Sequence, residues 1–329
     1  MARSPKGIEQ RLETFRAVCD SGSAEATRAA VGKALQAKHR LMVAAAARVC
    51  GDRLLYEHEP ALKRAFQGFL HDPVKTDKQC AAKSAIVRAM VALDSQDVDF
   101  FLNNITYRQF EPAWGGSVDT AVDLRCSCAM GLVSTAYSRA LIPLADLLND
   151  SEPRARLGAV RAIACAQPLA AEPLLRHKAG AGDESAEVVG ECLLGLLQLE
   201  PENSVNFVAG FLSASNEEVA ELAALALGES GLDAAFAALK RYWDEGVLLT
   251  GGVRRALLRG GALHRSMEAR DWLLDLLENA DVSIAVTIVE ELSVFRHDDT
   301  LAERVGQAVA GRPEQGVGEV WRAKWSEES

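Results

Sequence analysis

The 329-residue chain is 49% hydrophobic and 25% charged, but only 6% aromatic, and Ala and Leu dominate its apolar residues. This composition excludes a disordered chain, and it favours helices because Ala and Leu are good helix formers, whereas strands prefer β-branched and aromatic residues. No run of about 18 uncharged apolar residues occurs, so the sequence predicts no membrane span and no membrane partner.

The N-terminal sequence and the cysteines favour a cytoplasmic protein. MARSPKGIEQRLETFRAV is charged and lacks the apolar segment of a secretory signal. The seven cysteines are odd in number and fall mostly on apolar helical positions, which indicates reduced, buried thiols. Cys126 and Cys128 lack a second pair nearby, and the six histidines are scattered singly. The sequence therefore predicts no metal site and no cofactor.

Residues 1–94 are expected to form basic, irregular N-terminal repeats. Residues 1–90 contain 16 Lys and Arg against 9 Asp and Glu, a net charge of +7. Helical pairs are predicted at about 24–52 and 57–94, where Asp77 is a candidate helix cap. Cations sharing one face would bind phosphates, which leaves DNA binding open as an alternative. The cations are Lys33, Lys38, Arg40, Arg48, Arg53, Lys63, Arg64, Lys75, Lys78, Lys83 and Arg88.

Residues 104–123 interrupt the helical pattern and are predicted to form an insertion loop. Loops on one face of a repeat array often form the binding surface, and exposed Trp, Tyr and Arg dominate binding hot spots. We therefore expect this loop to bind a partner. In the alternative, it folds back onto its own repeat, with its Trp buried as a plug and Asp119 capping a helix. The candidate binding residues are Tyr107, Arg108, Phe110, Glu111 and Trp114.

The same segment gives no catalytic signature. Glu111, Asp119 and Asp123 supply carboxylates, but no His or Cys stands at a motif spacing from them. The chain also lacks the Gly-rich phosphate motifs and the HExxH pattern. The sequence therefore predicts no catalytic residue and favours a protein that is not an enzyme.

Over residues 138–297 polar helix starts return at a nearly constant interval. Asp150 begins the clearest unit, and Pro153 fits the first turn of its helix. Each start follows a shorter amphipathic segment, so helix pairs are predicted to stack on one another. The later starts are Asp183, Asn216, Thr250 and Asp281, at intervals of 33, 33, 34 and 31 residues.

These helix starts resemble the second helix of a HEAT repeat, with an Asp, then Pro or Val, then Arg, then small residues. DSEPRARLGAVRAI shows the whole pattern, and TGGVRRALL retains Val253 and Arg254. NEEVAELAAL retains Val219 but has Ala220 where Arg would stand. The pattern especially resembles the short bacterial HEAT-like type first associated with phycobilin lyases.

The resemblance implies an all-α fold, a right-handed α–α superhelix formed as a single solenoid over residues 1–329. The predicted helices along the chain number about eight or nine pairs, of which residues 298–329 form a C-terminal capping repeat. The resemblance does not imply a function, because such solenoids include scaffolds, lyases and DNA-repair enzymes.

The part of the chain after residue 90 is acidic. Residues 91–329 carry 20 Lys and Arg against 37 Asp and Glu, and residues 179–239 contain 11 acids and no Lys or Arg. Such a field would attract a basic partner and repel nucleic acid, although the acids could equally be a solvated face. The candidate contacts are Asp183, Glu184, Glu187, Glu217, Glu218 and Glu221.

The sequence therefore favours a non-catalytic scaffold that binds a protein partner. One expectation is that this partner is basic. The sequence predicts no nucleic-acid partner. Two alternatives remain open. One is a HEAT-like DNA glycosylase-type enzyme that uses the basic N-terminal third, with Trp114 and Asp119 or Asp123 in a cleft. The other is a phycobilin-lyase-like protein.

Overall fold

A computed structural model describes residues 5–246 and 250–325 of the chain, with side chains from residue 7 onward. In these ranges the chain consists of helices joined by turns, with one two-stranded antiparallel hairpin. The predicted all-α, solenoid-like fold class is confirmed. The chain divides into two compact units, unit 1 (Met1–Ala171) and unit 2 (Glu172–Ser329).

Unit 1 stacks its helices in chain order. The second helices of successive pairs, α3, α6, α8 and α10, pack against one another, and α2 packs against α4. The elements are α1 (Pro5–Ser21), α2 (Ala24–Leu35), α3 (Arg40–Asp52), α4 (Glu59–Gly68), the short α5 (Pro73–Thr76), α6 (Ala81–Ala92), α7 (Val98–Asn104), β1 (Phe110–Ala113), β2 (Gly116–Asp119), α8 (Val122–Ser134), α9 (Leu141–Leu147) and α10 (Pro153–Ala164).

Unit 2 repeats this arrangement with fewer irregular segments. Its second helices α12, α14, α16, α18 and α20 pack in chain order, while α13 packs against α15 and α17 against α19. The helices are α11 (Pro168–Ala181), which begins in unit 1, α12 (Ala186–Leu199), α13 (Pro201–Ala209), α14 (Glu217–Glu229), α15 (Asp233–Asp244), α16 (Gly251–His264), α17 (Met267–Asn279), α18 (Val282–Leu292), α19 (Asp299–Ala310) and α20 (Gln315–Trp325).

The described ranges contain nine consecutive helix pairs after α1, which agrees with the predicted number. None of these helices combines the length and apolar composition needed to cross a bilayer. The right-handed sense of the superhelix and its continuity over the whole chain stay predictions.

The polar residues predicted to begin second helices lie at helix starts. Asn216, Thr250 and Asp281 accept hydrogen bonds from backbone N–H groups in the first turns of α14, α16 and α18. Asp150 and Asp183 precede their helices by one extra turn, and each accepts the N–H two residues further along. Because that turn precedes the helix, these two aspartates are not the N-cap residues themselves.

The second helices α14 and α16 approach each other through glycines. A Cβ atom at Gly228 would overlap the backbone of Gly260, and a Cβ atom at Gly260 would lie 2.7 Å from the carbonyl oxygen of Ala224. Backbone atoms cannot rotate away from such an overlap as a side chain can. The close contact between these helices therefore depends on small residues at both positions.

Candidate functional site

A two-stranded hairpin, Phe110–Asp119, stands in the segment that joins α7 to α8. The strands are antiparallel, with Phe110 opposite Asp119 and Ala113 opposite Gly116. Trp114 and Gly115 form the turn, where Gly115 has a φ of 85°, a left-handed conformation that favours glycine. The Gly pair thus predicted the turn, but the strands were not predicted. Four-residue strands, one of which contains a Pro, give no periodic signal.

The tip of the hairpin is apolar and open to solvent. Trp114 is 105% exposed, and Phe110 and Val118 on the two strands are exposed as well. From Pro112 to Val118 the chain carries no charge. The alternative in which Trp114 packs as a plug against its own repeat is therefore wrong. A fully exposed indole on a formed turn is typical of a contact surface.

Glu111 anchors the base of the hairpin, because its side chain points into the protein and the residue is 5% exposed. Its carboxylate accepts hydrogen bonds from Gln109 Nε2 at 2.8 Å, from Thr120 Oγ1 at 2.9 Å and from the backbone N–H of Gln79. Burial alone would raise the pKa of Glu111. These hydrogen bonds outweigh burial and hold the pKa below its ordinary value.

A second buried group holds the other strand. Arg125 is fully buried; its Nη1 donates to Asp119 Oδ2 at 2.7 Å, and its Nε lies 3.1 Å from Asp150 Oδ2. The other Asp119 oxygen accepts the backbone N–H groups of Gln109 and Ala121. Burial would raise the pKa of Asp119, but these two backbone bonds and the guanidinium of Arg125 lower it overall. The end of β2 is therefore fixed to the start of α8.

Two of the predicted binding residues contact this network from its rim. Arg108 Nη2 donates to Asp150 Oδ2 at 2.9 Å, and the guanidinium remains partly exposed. Tyr107 donates from Oη to Gln109 Oε1 at 3.2 Å, and its ring centroid lies 5.6 Å from Lys83 Nζ. Burial raises the pKa of the Tyr107 hydroxyl. The structure thus separates the five predicted residues into an exposed tip and a supporting base.

The loop of residues 69–80, between α4 and α6, lies against the hairpin. Gln109 Nε2 donates to the carbonyl oxygen of Asp77 at 2.8 Å. The buried Asp77 carboxylate accepts the backbone N–H groups of Ala82 and Lys83 and, at 2.9 Å, the Nζ of Lys83. The hairpin is therefore hydrogen bonded to the turn that enters α6 as well as to α8.

Sequence reasoning missed these buried ionic groups, although one signal was present. Each second helix of this part of unit 1 has an aspartate before its start and a cation six residues later. In each case the cation donates a hydrogen bond to that aspartate, either to its carboxylate or to its backbone carbonyl oxygen. The pairs are Asp77 with Lys83, Asp119 with Arg125, and Asp150 with Arg156.

Asp183, one of the acidic residues predicted to bind a basic partner, points into the protein. Its side chain is buried and lies 2.7 Å from Lys178 Nζ. Glu184, Glu187 and Glu218 are exposed. Asp183 therefore has a structural partner within its own repeat.

Glu217 and Glu221 lie at the N-terminus of the neighbouring helix α16. Glu217 accepts a hydrogen bond from Thr250 Oγ1, and both carboxylates approach Gly252 so closely that a Cβ atom there would overlap them. A helix N-terminus attracts carboxylates because its free N–H groups carry partial positive charge. Part of the acidic face thus has a role in helix packing, and its binding of a basic partner stays a prediction.

Several cations of the basic N-terminal third are already paired. Lys63 Nζ lies 2.6 Å from Asp97, and Arg88 Nη2 lies 2.7 Å from Asp123. Lys83, as described above, is buried against Asp77. These ion pairs neutralise part of the positive charge on which the DNA-binding alternative depends.

Five of the seven cysteines are buried, as predicted, and none forms a disulfide. Cys126 is partly buried and Cys165 is exposed. In the part of the chain that the structure describes, no group of three or more His, Cys, Asp or Glu residues is placed to hold a metal ion.

The lowered pKa of Glu111 predicts how stability depends on pH. A carboxylate whose pKa is lower in the folded state than the ordinary value, about 4.3, stabilises the fold above that value. The contribution is lost as the pH falls through the folded pKa. We expect the Glu111→Gln variant to lose about 1–2 kcal/mol at pH 7, and to match the wild type at low pH. Thermal unfolding at several pH values measures this; a difference that does not change with pH would contradict it.

Comparison with known proteins gives no family. No family model matches the chain, and no curated protein matches it. Among solved structures, an engineered protein is similar over 98% of this chain and 95% of its own, with 14% identity and a TM-score of 0.36. Human deoxyhypusine hydroxylase in complex with glycerol is similar over 80% and 91%, with 18% identity and a TM-score of 0.30. A second engineered protein is similar over 91% and 97%, with 13% identity and a TM-score of 0.25.

Likeness at these TM-scores supports no statement about activity. The all-helical repeat fold is evident from the helices of the chain itself, and the HEAT-like type remains a resemblance of sequence.

Proposed function

We propose that this chain is a protein-binding scaffold and that the hairpin Phe110–Asp119 is its contact element. The observation that carries the proposal is the contrast between tip and base. Trp114 is completely exposed, whereas Glu111 and Asp119 are buried and hydrogen bonded. A contact residue on a fixed support loses less conformational entropy on binding, so more of its burial energy appears as affinity.

The chemistry of the tip favours a protein partner. Between Pro112 and Val118 the hairpin offers aromatic and aliphatic surface with no Lys or Arg to neutralise phosphates. Burial of a large aromatic side chain in a partner pocket is the commonest source of hot-spot energy. The stacked helix pairs of unit 1 then serve as the frame that holds the tip in place.

The carboxylates at the base favour binding over catalysis. Glu111 and Asp119 have lowered pKa values and accept hydrogen bonds from neighbouring donors. Any catalytic carboxyl group needs access to substrate, which these buried residues lack, and a general acid at neutral pH also needs a raised pKa. These two residues therefore act as structural acceptors in the proposed scaffold.

The test is photo-crosslinking from the tip. p-Benzoylphenylalanine is placed at position 114 and, as a matched control, at Leu169, an apolar residue of α11 that is 92% exposed. In cells that naturally produce the protein, we expect one discrete cross-linked partner from position 114 that is absent from position 169. Equal products from both positions, or none from position 114, would contradict the proposal.

The identified partner then allows a quantitative measurement. We expect the Trp114→Ala variant to bind it at least about tenfold more weakly, which is the usual effect of truncating a hot-spot aromatic. The melting temperature should stay unchanged, because the Trp114 side chain has no burial to lose in the free protein.

A further inference from the structure

The loop beside the hairpin holds an unfavourable backbone conformation. Asp72, Gln79 and Cys80 have φ values of 50°, 64° and 51°. Residues with a Cβ atom are disfavoured in this left-handed region, and two adjacent ones are rarer still. Such a conformation persists only where surrounding contacts hold it.

The contacts that hold Gln79 and Cys80 come from Glu111 in the hairpin, from Gln109 just before it and from the loop itself. The backbone N–H of Gln79 donates to the Glu111 carboxylate, and the carbonyl oxygen of Asp77 accepts from Gln109. The N–H of Cys80 donates to that same Asp77 carbonyl oxygen at 3.0 Å. The strained pair thus lies between the hairpin base and the first turn of α6.

We propose that Gln109 and Glu111, at the base of the hairpin, act as a latch: their hydrogen bonds keep the loop of residues 69–80 in its strained conformation. Displacement of the hairpin then releases the loop and uncovers the start of α6. The coupling goes beyond the proposed function, since it holds whatever the hairpin contacts. A partner that seats the hairpin more firmly closes the loop, and one that pulls it away opens the loop. The surface around α6 then responds to events at Trp114.

Two buried cysteines report on the latch separately. Cys80 is fully buried at the start of α6, and Cys128 is fully buried within α8. Burial raises the pKa of Cys80 to about 11, so the closed loop keeps this thiol both covered and protonated. Opening of the loop exposes Cys80 alone, whereas unfolding of the repeat exposes Cys128 as well.

The experiment measures how fast N-ethylmaleimide modifies each cysteine of the full-length protein at neutral pH, by peptide mass spectrometry. The Glu111→Leu variant removes the acceptor of three hydrogen bonds. We expect its Cys80 to react at least about tenfold faster than in the wild type, with the Cys128 rate unchanged. Adding Gln79→Asn to Glu111→Leu should lower the rate of Cys80 modification severalfold relative to Glu111→Leu alone. Asn tolerates the left-handed conformation better than Gln, so the loop opens less often.

Two results would contradict the proposal. An unchanged Cys80 rate in Glu111→Leu overturns the latch, and an unaltered rate after addition of Gln79→Asn overturns the role of backbone strain. If Glu111→Leu unfolds the repeat, Thr120→Val decides, because it removes only one donor to Glu111. In that variant a selective rise at Cys80 supports the latch, and a parallel rise at Cys128 overturns it. Neither result depends on cross-linking from position 114.

Discussion

Replacement of Arg125 by Leu is expected to lower the free energy of unfolding by about 3–5 kcal/mol, the usual cost of removing one partner of a buried ionic group. The side chain is fully buried and contacts the carboxylates of Asp119 and Asp150. Its loss leaves two buried negative charges with too few donors. Chemical denaturation of the full-length variant measures the change.

The matched control is Arg154→Leu, because Arg154 also pairs with a carboxylate, that of Asp123, but its side chain is 74% exposed. Water screens an exposed pair, and we expect a change below about 1 kcal/mol. The addition of Asp119→Asn to Arg125→Leu should recover part of the lost stability by removing one of the two buried negative charges. Equal and small effects of Arg125→Leu and Arg154→Leu would show that the buried group does not support the hairpin.

The Gly228→Ala variant is expected to lose about 1–3 kcal/mol, although Ala is the better helix former by about 1 kcal/mol. The added methyl group would overlap the backbone of Gly260, so α14 and α16 must move apart. Such a movement weakens the apolar packing along both helices. Thermal unfolding followed by circular dichroism measures the loss.

A glycine in open surroundings provides the control. A Cβ atom at Gly318, within α20, meets no atom within 4 Å. The Gly318→Ala variant should therefore gain up to about 1 kcal/mol from helix propensity alone. A stabilising effect of both substitutions would mean that α14 and α16 are not in close contact.

The repeat was predictable from the sequence because its signals are local. A capping side chain acts on the first turn of its own helix, so Asn216, Thr250 and Asp281 could be recognised without knowledge of their neighbours. Their regular spacing then implied identical modules. The carboxylate of Asp150 also accepts a hydrogen bond from Arg108, 42 residues earlier, and no local signal in the sequence indicates that contact.

The base of the candidate site was not predictable because its interactions are non-local. Lys83 belonged to a set of cations expected at the surface, and a charged side chain is rarely fully buried unless it is paired. Glu111 was predicted as a contact residue, but its acceptor role depends on Gln79, 32 residues away in sequence. Trp114 was singled out by residue type, whereas its exposure followed from a hairpin that four-residue strands do not reveal.

Amide hydrogen exchange along residues 76–122 of the free protein shows whether the exposed hairpin tip has a fixed base. A fixed base with an exposed tip predicts slow exchange at Gln79, Gln109 and Ala121, whose N–H groups donate to buried carboxylates. The amides of Trp114 and Gly115 at the tip should exchange at least about a hundredfold faster, as expected for groups open to solvent. Exchange at the three base amides as fast as at the tip would mean that the hairpin has no fixed support, and would contradict its role as a preformed contact element.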